Sequence, residues 1–145
     1  MICFWSQSNH RIFSNFTPVQ IELDGLVWSS VEHYYQAQKF LSLERQEEFR
    51  QASTGAKTKR LAKKYASEIR PDWDSVKVAI MEKALRAKYG QEPFKSALLA
   101  TGQEEIVEDS PKDLFWGTGQ IGGQGVGQNT MGKLLMTLRS ELNKN

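Results

Sequence analysis

A single cysteine, Cys3, is all that 145 residues contain, so no intramolecular disulfide can form and no structural zinc site can be built on several thiolates. That scarcity points to a reducing compartment. Histidine is almost as rare: only His10 and His33 are present, and neither belongs to a His, Cys and carboxylate cluster with metal-ligand spacing, so no metal and no cofactor is expected. Long apolar runs are missing as well. None approaches the roughly 20 residues that cross a bilayer, and Met1-Ile2-Cys3-Phe4-Trp5 turns polar at Ser6 without the charged start and apolar core of a secretory signal. A cytoplasmic protein with no membrane partner is the expectation. Charge of one sign is lacking too. The chain has 19 Lys and Arg against 17 Asp and Glu, a net +2, which excludes a polybasic tail and argues mildly against tight nucleic-acid binding. One basic stretch remains, Lys57, Lys59, Arg60, Lys63 and Lys64. With no internal repeat and no linker-like segment, the length suits one domain over residues 1–145.

Local signals divide the chain into short elements. Ile21 and Leu23 alternate with polar neighbours, Asp24-Gly25 supplies positive φ, and Leu26 to Trp28 resumes the apolar pattern, which predicts a tight type I′ hairpin. Ser29 or Ser30 then caps a helix over about residues 31–43, Ser29 standing at capping-box spacing from Glu32. Further helices are predicted over about 44–52 and 57–67. Pro71 ends the latter, and Asp72 or Asp74 starts a core helix on Val76, Ile80, Ala84 and Leu85 that stops at Gly90. A shorter helix follows Pro93 and closes at Gly102, and Ile106-Val107 reads as a short strand. Six glycines from Gly117 to Gly127 form a loop, and a last helix carries Met131, Leu134, Leu135, Leu138 and Leu142 on one stripe. The fold class is mainly α with a small β component, an α+β domain with an N-terminal β-hairpin.

The helix starting at Val31 holds the chemistry-bearing pattern. At about 100° per residue, Gln36 and Lys39 fall within about 40° of Glu32, while Tyr34, Ala37 and Leu41 lie opposite. Acid, amide and amine thus share a face. Periodicity alone reads that face as solvated, with Glu32 favoured by the helix dipole; the density of Trp, Tyr and Phe nearby suits a pocket instead. His33 is expected to be packed and hydrogen-bonded rather than catalytic.

Several blocks in order resemble the NADAR, or YbiA-like, family. They are Phe13-Ser14-Asn15-Phe16, Asp24-Gly25 with Trp28, and Glu32-His33-Tyr34-Tyr35-Gln36-Ala37-Gln38-Lys39-Phe40. Trp73, Met81, Lys83-Ala84-Leu85-Arg86-Ala87-Lys88, Asp113, Trp116-Gly117, Gly127-Gln128-Asn129 and Gly132-Lys133-Leu134-Leu135-Met136 continue the match. The resemblance implies an enzyme that breaks the ribose C1 to nitrogen bond. Its substrates would be phosphoribosylamino-pyrimidine intermediates of riboflavin synthesis or, alternatively, ADP-ribose on guanine in nucleic acid; a binding module for NAD or ADP-ribose is a third reading. It implies catalytic roles for Glu32, Lys39 and Asp113, and substrate contacts from Asn15, Phe16, Tyr35, Gln36, Trp73, Lys88, Trp116, Gly117 and Asn129. The partner is then a small phosphoribosyl or ADP-ribosyl molecule, or ADP-ribosylated DNA.

The chemistry needs such groups. Breaking C1–N builds positive charge on the sugar and negative charge on the leaving nitrogen, so a carboxylate beside C1 and an acid beside nitrogen both lower the barrier. Should an amine attack C1, it must be unprotonated, which burial near cations such as Lys88 or Arg86 would favour. Without the family, Asp113 reads as a turn residue after Ser-Pro, Trp73 as a helix-start staple and Asn129 as an N-cap. A capped helix start behind a glycine-rich loop is also a phosphate site, although these glycines follow neither the dinucleotide fingerprint nor the P-loop pattern.

Overall fold

The computed structural model describes residues 1–5, 10–123 and 125–144. In chain order the elements are β1 (Ile2–Phe4), β2 (Ile21–Leu23), β3 (Leu26–Trp28), α1 (Val31–Ala37), α2 (Leu43–Arg50), α3 (Gly55–Lys64), α4 (Trp73–Tyr89), α5 (Phe94–Ala100), β4 (Ile106–Glu108) and α6 (Thr130–Asn143). This is the helix-dominated α+β composition the sequence predicts. The chain divides into two compact units, Asn15–Lys88 and Met1–Ser14 with Tyr89–Asn145.

In the unit Asn15–Lys88, β2 and β3 pair antiparallel with Ile21 opposite Trp28. Asp24 and Gly25 take φ of 57° and 78°, the two positive values that a type I′ turn requires. Trp28 is wholly buried, its indole N–H donates to the Leu23 carbonyl at 3.2 Å, and Tyr34 meets it edge-on at 5.2 Å. Ser30, not Ser29, caps α1: its side chain accepts the His33 N–H. The capping box between Ser29 and Glu32 does not form, because the cap lies one residue later and Glu32 sits inside the first turn.

α1 ends at Ala37, six residues short of the expected Leu43. Two nonlocal contacts stop it. The Lys39 carbonyl accepts the Arg70 N–H at 2.8 Å, and Phe40 packs 5.0 Å from Phe49 and 6.4 Å from Tyr65. Ser42 then caps α2. Leu41, expected on the apolar side, is exposed. α3 begins earlier than expected, at Gly55, because Thr54 caps it, and the chain beyond Lys64 tightens into a 3₁₀ turn over Ala66–Glu68. Along α4, Met81, Ala84 and Leu85 are buried, while Val76 and Ile80 are half-buried.

In the other unit, β4 has an unanticipated parallel partner, β1, with Ile2 opposite Ile106. Phe13 stacks on Tyr89 at 6.4 Å and lies 5.9 Å from Phe4. α6 buries Met131, Leu135 and Leu138. Asn129 precedes α6 but makes no side-chain cap. Its Oδ1 accepts the Glu108 N–H at 2.9 Å and its Nδ2 donates to the Ile106 carbonyl at 3.0 Å, so the amide pairs with β4 as another strand would. The N–H groups of Asn129, Thr130 and Met131 donate to the carbonyls of Gly117, Phe115 and Trp116. Three of the donors that would hold an anion at this helix start are thus spent on the chain's own loop, which weighs against the phosphate-site expectation.

Gly132 faces the same strand, and a methyl group there would overlap the Ile106 carbonyl oxygen and the Asn129 amide. Gly132→Ala is expected to destabilise this unit by about 2 kcal/mol or more despite alanine's better helix propensity. Urea unfolding followed by circular dichroism reads this; an unchanged or raised midpoint would refute the close approach.

Candidate active site

The polar face of α1 is not solvated. All seven of its residues are buried, Glu32 and Gln36 at 6% and 4% exposure, which removes the bland reading. Gln36 Nε2 donates to Glu32 Oε1 at 2.6 Å across one helical turn. The Glu32 N–H donates to the Asn15 carbonyl at 3.1 Å, so the segment before the hairpin holds the catalytic candidate by its backbone. Asn15 itself donates through Nδ2 to the Met81 sulfur at 3.5 Å. Its Oδ1 and the Oε1 of Gln36 are buried without a hydrogen-bond partner. Two buried orphan acceptors are costly unless a ligand brings donors.

α3 approaches α1 closely at Gly55. A methyl group at that position would lie 3.1 Å from Phe16 Cδ1 and 3.2 Å from Glu32 Cβ, tighter than ordinary packing. Gly55 is a residue that sequence reading missed as a site element; the only signal was its place after the Thr54 cap.

Lys39 lies just beyond α1, not on it, yet remains with the group. Its ammonium is 5.7 Å from the Tyr35 ring centroid and 5.8 Å from that of Trp73, and those two rings meet edge-on at 5.1 Å. Burial pushes its pKa below the ordinary lysine value; Glu32 opposes, and Lys59 and Lys77 assist. The cations that matter are thus Lys59 and Lys77 rather than the expected Lys88 and Arg86, since Arg86 pairs with Glu82 at 2.9 Å. His33 is fully engaged: Nε2 meets the Ala52 carbonyl at 2.9 Å and Nδ1 the Ser30 hydroxyl at 2.7 Å. A carbonyl only accepts, so Nε2 carries a proton.

The NADAR domain profile matches residues 3–143. The chain belongs to the NADAR family. N-glycosidase YbiA of Escherichia coli is 42% identical over 144 residues, covering 98% of this chain and 88% of that protein. An N-glycosidase of Nostoc punctiforme is 39% identical, covering 90% and 84%. A riboflavin biosynthesis protein of Vibrio vulnificus is 43% identical over 92% of this chain but only 36% of its own, longer length. The NMR structure of E. coli YbiA superposes with a TM-score of 0.84 at 38% identity, over 99% of this chain and 86% of that one. By this kinship the NADAR chain is an N-glycosidase. No described helix is long and apolar enough to cross a membrane.

The remaining NADAR-implied residues lie elsewhere in the chain. Lys88, at the end of the first unit, is buried, and burial alone lowers its pKa to about 7. Asp113, Trp116, Gly117 and Asn129 belong to the other unit. Asp113 Oδ1 accepts the N–H groups of Phe115 and Trp116 at 3.2 and 2.9 Å, the turn role that composition suggests. Trp116 meets Phe115 edge-on at 4.9 Å, and Gly117 is buried where a side chain would strike the Glu108 carbonyl. Asp109 was also missed: it is buried, holds the Gly122 N–H at 2.8 Å through Oδ2, and has an orphan Oδ1.

Two titrations follow. Lys39 reacts with cyanate at pH 8 faster than exposed Lys57; removing the like charge in Lys59→Gln raises its pKa and slows it, and Glu32→Gln lowers the pKa and speeds it. Peptide mass mapping reads the rates; no difference between Lys39 and Lys57 would refute the desolvated setting. For Lys88, a folded pKa of about 7 below the unfolded value means that the unfolded chain binds more protons above pH 7. Stability therefore rises with pH from about 7, until near pH 10 Tyr89, whose pKa burial raises, opposes it. In Lys88→Met the slope between pH 7 and 9.5 flattens in urea melts; an unchanged slope would exclude Lys88 as its source.

Proposed function

We propose that this protein hydrolyses N-ribosyl compounds, with phosphoribosylamino-pyrimidine intermediates of riboflavin synthesis as its substrates, in the cytoplasm. The observation that carries the reading is the buried Glu32 carboxylate, fixed by Gln36 and by the Asn15 backbone beside a desolvated amine and an aromatic pair. In the reaction the C1–N bond breaks, water adds its hydroxyl to C1, and the leaving nitrogen gains a proton. Glu32 stabilises positive charge growing at C1 and passes the proton. Tyr35 and Trp73 offer faces to a pyrimidine. The orphan oxygens of Asn15 and Gln36 accept from ribose hydroxyls or exocyclic N–H groups.

Lys39 opens a covalent branch. As the free amine it attacks C1, the base leaves, and ring opening yields a Schiff base that water hydrolyses to return the amine and free sugar phosphate. Its lowered pKa and the like charge of Lys59 support that branch. Lys88 and Phe16 are assigned to holding the substrate. Asp113, Trp116, Gly117 and Asn129 enter the reading only through the family resemblance.

Glu32→Gln is expected to fold, because an amide can replace the carboxylate beside Gln36, and to lose about 100- to 10,000-fold in turnover. Mass-detected release of ribose 5-phosphate from ribosylaminouracil phosphate measures this, and near-normal release would sink the assignment. Run in parallel on an ADP-ribosylated guanine oligonucleotide, the assay decides the substrate: faster ADP-ribose release there replaces the riboflavin-intermediate reading with base repair.

A further inference from the structure

The unit Asn15–Lys88 has a concave feature whose lining includes none of the Glu32, Tyr35, Gln36, Lys39 and Trp73 side chains. α2 and α3 border a shallow cleft of about 660 Å³, to which α3 contributes Lys57, Arg60, Leu61 and Lys64. These positions are i, i+3, i+4 and i+7, one helix face about 10 Å long. The buried face of α3 carries Gly55, Thr58 and Ala62 instead. Nothing in the packing of α3 therefore requires the three cations.

Among the described residues none of the three is in a direct ion pair, although the Glu48 carboxylate feels the charge of Lys64. In the same unit Arg45, Arg50, Arg70, Lys77, Lys83 and Arg86 each hold a carboxylate. Lys64 rests 5.3 Å over the Tyr65 ring. The one acid lining the cleft, Glu48, is already committed, one oxygen to the Tyr65 hydroxyl at 2.8 Å and the other to Arg45 at 3.1 Å.

We propose that this cleft is a second ligand site, for a small phosphorylated molecule. Its phosphate groups lie against Lys57, Arg60 and Lys64, Arg60 offering a bidentate fork. Its apolar body rests on Leu61 and Ala52, which also line the cleft. The volume falls within the range of small-molecule sites, roughly 300–1,000 Å³. A nucleic-acid strand fits less well: the neighbouring α2 carries Glu44, Glu47 and Glu48 against two arginines, which repels an extended polyanion.

The test titrates the full chain with ADP, inorganic pyrophosphate and a ten-residue oligothymidylate, following backbone amides by NMR. The expected result is a saturable ADP shift centred on the amides of Gln51, Ser53, Lys57, Arg60, Leu61 and Lys64, which line the cleft, and not on Gly55, which packs against Glu32. ADP should bind there at least as tightly as pyrophosphate and more tightly than the oligonucleotide. In the triple variant Lys57→Gln, Arg60→Gln, Lys64→Gln, whose positions face solvent, affinity at those amides should fall tenfold or more while the rest of the spectrum stays in place. The proposal is overturned by the absence of a saturable shift at those cleft-lining amides, by a shift centred on Gly55 instead, by unchanged affinity in the triple variant, or by tighter binding of the oligonucleotide to the same amides.

Discussion

Burial of the polar side of a seven-residue helix is the constraint around which residues 15–88 are arranged. A helix this short is unstable alone, and α1 persists because Ser30 caps it, the Asn15 carbonyl takes an N–H from its first turn, and its neighbours enclose it. Taking Glu32 and Gln36 out of water carries a penalty that their mutual bond of 2.6 Å offsets only in part. The orphan oxygens of Gln36 and Asn15 leave the remainder unmet. Such a local deficit is the expected state of a site prepared for a polar ligand, where groups already ordered and desolvated need not reorganise during reaction.

What could be read in the sequence follows the range of the responsible interaction. The hairpin was legible because Asp24-Gly25 determines it within two residues. The core helix α4 was legible because its period and its stops are local. The end of α1 was not, since residues 38–43 show no breaker and the helix stops through contacts from Arg70, Phe49 and Tyr65. β1 was equally hidden: three residues form a strand only because Ile106–Glu108 lies beside them, more than a hundred positions away. On paper either Ser29 or Ser30 can cap, Ser29 with capping-box spacing to Glu32, and the use of Ser30 follows the pairing of Trp28 with Ile21, which sets where the strand stops.

The candidate site shows the same division. Helical spacing put Glu32 and Gln36 on one face correctly, but whether that face meets water depends on α2 and α3, which no periodicity reports. Lys39 reaches the same group from beyond the helix end, so the angular argument that joined it to Glu32 held for a different geometric reason. The cations nearest it in effect, Lys59 and Lys77, come from α3 and α4. Asn129 illustrates the reverse case, a residue of capping type that instead bonds to a strand. Its left-handed φ of 52° turns the amide toward β4, a conformation asparagine adopts at lower cost than most residues.

The balance at Lys39 explains why acid and amine can share so small a volume. Desolvation is the largest influence on that amine and favours its neutral form, while Glu32 favours the ammonium. A protonated amine could not attack carbon, so the pull of Glu32 toward the ammonium works against the covalent route. Lys59 and Lys77 push the other way, and the Tyr35 and Trp73 rings, 5.7 and 5.8 Å from the ammonium, still accommodate the charged form when it is present. Burial with the two lysines thereby shifts the amine toward its neutral form relative to an ordinary lysine, and a site that must both receive a positive sugar carbon and release a proton to nitrogen requires groups that can change state without a large penalty.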